Sequence, residues 1–476
     1  MRGYFQFIGY IVLSSHKTRP SSQMSQHAES QLHCIFLINS YFETPPPNII
    51  TTSRPVLSYA HNLSKKFKHK VLEESNWDYE ILRKSFIQVR SAHVLVALAF
   101  ALVAQGSIIP QTRRDGVAGV VSLEFEVDRK PLDLNATNEI VKRGSPSAPL
   151  YFEGPSYGIR IAVGSNMQEQ QVVLDTGSSD FWVVDSSATC QGTRDCKKYG
   201  TFNPQSSTSF RSLGSTFSIG YGDKSTSEGP WAKDTVSFGG ISITNQQFAD
   251  VTTTSTAQGI LGVGRVQGES GQQYDNVPVS LKKQGKIKTN AYSLYLNSPG
   301  ATTGTILFGG VDNAKYSGKL IEEQIVSDQY LSVNLQSLNY DGNDETTGFN
   351  VVLDSGTTLS YLPDTIVEDL ASKVGAYLEP VGNGSELYFI DCNANLQDSA
   401  SFTFDNGAKI SVPLSEFVLR SNSGCVWGLQ SSDRQRVPPI LGVNFLRHAY
   451  IVYNLDKETI SLAQVKFTSA SSVSAI

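Results

Sequence analysis

The run Leu174-Asp175-Thr176-Gly177-Ser178-Ser179, preceded by Val172-Val173, returns as Leu353-Asp354-Ser355-Gly356-Thr357-Thr358 after Val351-Val352. A second pair, Ile260-Leu261-Gly262 and Ile440-Leu441-Gly442, ends 87 residues beyond Asp175 and 88 beyond Asp354. One Asp-Thr-Gly is weak evidence of anything. Two, in register with another repeated motif, predict two homologous lobes, each offering one loop that carries a carboxylate. The length agrees, because 476 residues exceed the roughly 250 to 300 that one hydrophobic core serves. No repeat of about 20 to 50 residues recurs, so a solenoid is excluded.

From Gly144 onward the chain is rich in Gly, Ser, Thr, Val and Tyr, in short alternating runs broken by Gly, Asn, Asp and Pro. This predicts an all-β protein with few short helices, divided into lobes over 144–335 and 336–476. The best helix candidate follows Pro363, where Asp364 can cap and Ile366, Val367, Leu370, Ala371, Val374 and Tyr377 recur at helical spacing. Phe217-Ser218-Ile219-Gly220-Tyr221 alternates like a strand, and Gly222-Asp223-Lys224 supplies a turn before Gly229 and Trp231. Such a hairpin can close as a flap over an extended peptide and exclude water. Cys190 and Cys196 enclose a short loop, and Cys392 and Cys425 a longer one. Secreted chains pair such thiols, with closures worth roughly 2 and roughly 4 kcal/mol. Cys34 is left over.

Charge divides the chain. Residues 144–476 hold 22 Lys+Arg against 32 Asp+Glu, a balance of −10, which leaves 17 against 12, or +5, for residues 1–143. A surface of −10 repels phosphate backbones, so no nucleic-acid partner is expected. The apolar run from Val94 to Ala104, after Arg83, Lys84 and Arg90 and before Gln105-Gly106, has the length of a secretory h-region, not of a membrane span. Residues 94–106 are therefore expected to direct secretion. Residues 1–93 form an atypical extension, consistent with a start site placed too far upstream. Ser107 to Arg143 ends in the dibasic pair Lys142-Arg143 and reads as a propeptide, whose alternating Val121–Val127 stretch is a candidate strand for filling a cleft.

The two loops carry the chemistry. Glycine after each aspartate lets backbone from the opposite lobe approach closely. Thr176 and Ser355 are placed to bond across the junction, and Ser178 and Thr357 to orient the carboxylates. A pseudo-twofold axis brings Asp175 and Asp354 together, where two like charges do not both ionise and one proton is shared. Such a pair can deprotonate a trapped water for attack on an amide carbonyl and protonate the leaving nitrogen. Glycoside cleavage instead calls for an acid and a base in dissimilar surroundings roughly 5 to 9.5 Å apart, and these turns are nearly identical. Six of the seven histidines precede Gly144, and His448 sits beside the strand-like Ile451-Val452-Tyr453, a structural position. No His-Glu-x-x-His or paired Cys-x-x-Cys occurs, and Gly259–Gly264 lacks the rest of a nucleotide fingerprint, so neither metal nor cofactor is expected.

These loops resemble those of the pepsin-like aspartic proteases, and most closely the candidapepsins, the secreted aspartic proteinases of pathogenic yeasts. The likeness spans Tyr157 to Ile476, notably Gln258-Gly259-Ile260-Leu261-Gly262, Tyr274-Asp275-Asn276-Val277-Pro278-Val279, Asn290-Ala291-Tyr292-Ser293-Leu294-Tyr295, and Phe308-Gly309-Gly310-Val311-Asp312-Asn313. The resemblance implies a bilobal pepsin-like fold and a secreted acid endopeptidase made as a zymogen. It implies a monomer acting on extended peptides or denatured proteins and sensitive to pepstatin-type inhibitors. It also implies Asp175 and Asp354 as the catalytic pair, supported by Gly177, Ser178, Gly356 and Thr357. Tyr221 becomes the flap tyrosine, with Gly222 and Asp223 beside it, and Trp182 resembles the tryptophan that bonds it. Three departures stand out: Lys224 where many relatives have glycine, Val443 after Gly442 where aspartate is usual, and a short first disulfide loop.

The processing scheme makes a direct expectation. N-terminal sequencing of secreted protein should begin after Arg143, and recovery of peptides from Met1 to Arg83 in secreted or cell-bound protein would refute the upstream-start reading.

Overall fold

A computed structural model of the protein describes residues 117–128, 156–192, 195–222, 225–340, 342–381 and 386–476. The run 94–106, the Lys142-Arg143 pair, Cys34, the turn residues Asp223 and Lys224, and Asn383, which heads the sequence Asn383-Gly384-Ser385 of a glycosylation acceptor, lie outside the described residues. All the described residues belong to one unit, Pro110–Ile476.

Strands dominate. The largest sheet has thirteen, in spatial order Ile321–Gln324, Thr459–Gln464, Ala449–Asn454, Ala291–Tyr295, Thr303–Phe308, Val121–Asp128, Ser156–Val163, Gln168–Asp175, Ile260–Gly262, Phe181–Cys190, Ile241–Thr254, Thr226–Phe238 and Arg211–Gly220. Its last members carry the hairpin that spans Tyr221. A seven-stranded sheet, Lys409–Pro413, Ser399–Phe404, Ser332–Tyr340, Asn343–Leu353, Ile440–Leu441, Ser360–Leu362 and Leu429–Ser431, carries Asp354 at the end of its fourth strand. Ala449–Asn454 and Thr459–Gln464 then return to the large sheet, so the end of the chain is shared between the two halves.

The alternating stretch before the dibasic pair does form a strand, but not as a cleft filler. Val121–Asp128 is an interior member of the large sheet, antiparallel to Thr303–Phe308 on one side and to Ser156–Ile159 on the other. Its period of two explains why: Val121, Leu123 and Phe125 are buried while Ser122, Glu124 and Glu126 face out. A side chain at Gly304 would put its Cβ 2.1 Å from the Phe125 ring, so that ring occupies the space the glycine leaves free. On the outer face Glu126 takes both Arg160 nitrogens at 2.8 and 3.2 Å.

The helix after Pro363 runs from Asp364 to Val374 and buries Ile366, Val367, Leu370 and Ala371. Two details differ from the sequence reading. Pro363 occupies the N-cap, and Asp364 is instead the first helical residue, its N–H bonded to the Asp433 carboxylate. Tyr377 lies past the stop at Gly375, whose φ of 74° is a left-handed C-terminal turn, and is exposed in the next strand. Disulfides join Cys190 to Cys196 and Cys392 to Cys425. His448 is buried, its Nε2 3.5 Å from Glu416.

Because Phe125 fills the sheet at a glycine, Phe125→Ala in the full chain should cost about 3–5 kcal/mol. Urea unfolding that shifts by less than ~1 kcal/mol would show that the strand is not integral.

Candidate active site

The repeated motifs become the same local structure twice. Val173, Leu174 and Asp175 run parallel to Ile260, Leu261 and Gly262, while Val352 and Leu353 run parallel to Ile440 and Leu441. The apolar pair in each second motif is thus the strand beside each aspartate. Its glycine is forced by space. A Cβ at Gly262 would lie 2.6 Å from the Asp180 backbone, and one at Gly442 only 2.0 Å from the Leu359 carbonyl.

Between the loops the hydroxyls cross. Thr176 Oγ1 donates to the Leu353 carbonyl at 2.8 Å and accepts from the Ser355 N–H at 2.9 Å. Ser355 Oγ donates to the Leu174 carbonyl at 2.8 Å and accepts from the Thr176 N–H at 3.1 Å. Both residues are buried. Four reciprocal bonds therefore fix one lobe's turn against the other's.

The carboxylates meet above this lattice. A Cβ at Gly177 would lie 2.5 Å from Asp354 Oδ1, and one at Gly356 would lie 2.4 Å from Asp175 Oδ1. Each acid therefore occupies the space that the other loop's glycine leaves free. Each is also held by its own loop. Asp175 takes the Gly177 N–H at 2.8 Å on Oδ1 and the Ser178 hydroxyl on Oδ2. Asp354 takes the Gly356 N–H at 2.7 Å on Oδ1 and the Thr357 hydroxyl on Oδ2. Burial pushes the Asp175 carboxyl well up from its ordinary value, and the neighbouring Asp354 pushes it further.

Tyr221 stands at the end of the hairpin strand Arg211–Gly220, its N–H bonded to the Ser225 carbonyl at 2.9 Å. Its hydroxyl accepts the indole N–H of Trp182 at 2.7 Å, and Trp182 itself is fully buried. Gly222 is exposed beside it. The disulfide cysteines lie elsewhere: Cys190 and Cys196 pack near Trp182 and Phe217, and Cys392–Cys425 ties the strand pair at Ile390.

Sequence reasoning gave no role to three further groups. Tyr292 and Tyr453 stack at 5.0 Å, and their hydroxyls donate to the carbonyls of Val263 and Leu353, one beside each loop. Asp180 is fully buried and accepts the Ser270 N–H at 2.9 Å, the Ser270 hydroxyl at 2.7 Å and the Tyr274 hydroxyl at 3.3 Å. Burial raises its pKa against those donors. The tyrosines were visible only as apolar positions in strands, because sheet order decides which face they share.

Among the described residues no cluster of three or more metal-ligating side chains occurs. Two facing carboxyls in symmetric turns, one of them destabilised as an anion, define an aspartic protease. The chain belongs to the eukaryotic aspartyl proteases, whose family model matches residues 156–465. It is 74% identical over 378 residues to Candidapepsin-2 of Candida parapsilosis, across 79% of this chain and 91% of that protein. It is 51% identical to Secreted aspartic protease 8 of Candida albicans and 51% identical to Candidapepsin of Candida tropicalis, in each case over 81% of this chain and 98% of the relative. The protein is thus an all-β, bilobal, pepsin-like aspartic endopeptidase.

Removing the Ser355 hydroxyl takes from the buried Leu174 carbonyl its donor and from the buried Thr176 N–H its acceptor. Ser355→Ala should cost ~2–4 kcal/mol in urea unfolding, at about 1–3 kcal/mol per orphaned group. In combination with Thr176→Val the loss should fall short of the sum, and strict additivity would show that the four bonds are not one unit.

Proposed function

We propose that Asp175 and Asp354 are the catalytic pair of a secreted acid endopeptidase that cleaves peptide bonds of extended or unfolded proteins. The observation that carries this reading is the mutual fit of each carboxyl into the space left by the other loop's glycine. A water held between the two oxygens would lose a proton to the ionised member as it attacks the scissile carbonyl. The protonated member would give its proton to the developing oxyanion, and the leaving nitrogen would be protonated in turn. Ser178 and Thr357 keep the outer oxygens turned so that the inner ones face the water.

An extended substrate would lie under the hairpin that ends at Tyr221, and Trp182 keeps that tyrosine hydroxyl in one orientation. Secretion is supported by the two disulfides, by relatives named as secreted proteases, and by the apolar run 94–104. Among the described residues no helix is long and apolar enough to cross a membrane. Zymogen processing after Arg143 is supported by the dibasic pair Lys142-Arg143, and it would separate the strand Val121–Asp128 from the rest of the chain.

Asp175→Asn and Asp354→Asn should each lower kcat on denatured protein near pH 4 by about a thousandfold or more, with the fold retained. Turnover within tenfold of wild type in either variant would defeat the assignment. Pepstatin should inhibit the enzyme and a chelator should not. Trp182→Phe removes one hydrogen bond of ~0.5–1.5 kcal/mol, so kcat/KM should fall roughly three- to tenfold. The raised Asp175 pKa fixes the sign of the pH dependence. The shared proton is present in acid and lost as pH rises through that raised value, so activity must fall on the alkaline side.

A further inference from the structure

A second pair of buried carboxyls lies in the same lobe, outside the dyad. Asp185 and Asp250 are 4% and 2% exposed. They stand on adjacent parallel strands, Phe181–Cys190 and Ile241–Thr254, where Val183 is opposite Asp250 and Trp182 is opposite Ala249. Asp185, two residues beyond Val183, shares a sheet face with Asp250. Asp185 Oδ1 takes the Ser187 N–H and hydroxyl, both at 2.5 Å. Asp250 Oδ1, by contrast, is buried without any hydrogen-bond partner.

Among the described residues, no cation stands opposite Asp250 in the sheet register. On the neighbouring strand Thr226–Phe238, Glu228, Lys233 and Asp234 stand opposite Thr253, Gln247 and Gln246 in the register, not opposite Asp250. Below, Phe202 bridges to Asp185, and Lys197 gives its ammonium to the Ser186 carbonyl at 2.9 Å. The neighbouring charge that acts on Asp250 among the described residues is Asp185.

We propose that Asp185 and Asp250 share one proton as a clamp between these strands, and that the clamp positions Trp182 and through it Tyr221. Two adjacent anions are strongly disfavoured at this buried site, whereas a carboxyl and a carboxylate make one strong hydrogen bond. Burial, then Asp185, pushes the Asp250 carboxyl up to about 8, above the unfolded value of about 3.9. The contribution is therefore full below about pH 4 and falls as pH rises toward 8, at about tenfold in the folding equilibrium per pH unit for one proton. The clamp would couple the flap anchor to acidity independently of the dyad.

An asparagine at position 250 carries a permanent donor where the shared proton sits. Urea unfolding of the full chain from pH 4 to 7, with Asp354→Asn in both arms to prevent self-cleavage, should show a stability slope shallower by about one proton in Asp250→Asn. The same substitution in active enzyme should keep kcat/KM at pH 4 within about twofold and lessen the fall of kcat/KM between pH 4 and 7, while the fall set by the dyad remains. Asp185→Asn puts the donor on the other side of the contact and should act likewise if the first variant does not fold. An unchanged slope with an unchanged alkaline limb overturns the proposal. The unfolding slope needs no catalysis, so its failure is separable from failure of the dyad assignment.

Discussion

The structure depends on the crossed hydroxyl bonds of Thr176 and Ser355. Every other feature of the site presupposes that two loops from separate sheets are locked at one distance. With the lattice in place, the Gly177 and Gly356 N–H groups aim at their own carboxylates and the two inner oxygens face each other. Without it, nothing would hold the two desolvated acids within reach of one shared proton. The four bonds thus hold the acids close, where burial first and the neighbouring Asp354 second raise the Asp175 carboxyl.

The same logic explains the composition of the loops. Burying a carboxyl is costly unless donors meet it, and each loop supplies one backbone N–H and one hydroxyl within three residues of its acid. Thr, Ser and Gly are the residue types that do this in a tight turn, which is why the motif is short and can be recognised. Tyr292 and Tyr453 complete the floor from strands of the large sheet. Tyr292 stands beside the first loop and Tyr453, from the returning end of the chain, beside the second, on strands that pair with each other.

Duplication with matching offsets made the lobes, the paired loops and the glycine-closed second motifs legible before any coordinates. The reason is physical: Gly262 and Gly442 tolerate no Cβ, so the spacing between motif and acid is fixed by close backbone approach. Sheet order was not legible. Nothing in Val121–Val127 tells an interior strand from one laid over a cleft, since both alternate, and only the glycine at 304 beneath Phe125 marks the neighbour. Asp364 looked like a cap because acids favour helix starts, but Pro363 took the cap position and Asp433 supplied the acceptor. Asp180, Asp185 and Asp250 read as ordinary acids among strands, because burial of a carboxyl is a property of packing and leaves no periodic trace.

The two halves are also instructively unequal. Five residues beyond its aspartate, the first loop carries Asp180, tied to Ser270 and Tyr274, whereas the second carries Leu359 and is braced one residue later by Ser360 against Asn444 at 2.6 Å. Tyr274 packs edge-on to Trp231 at 5.1 Å, and Trp231 packs in the same way on Phe217 at 4.9 Å. The polar brace of the first loop therefore continues into the base of the flap hairpin. In the second lobe the brace ends inside its own sheet, and the apolar Val443 beside Thr357 adds no further charge. A duplicated loop needed to hold a flap in only one half, and the acidic residues of the first lobe lie where that extra task falls.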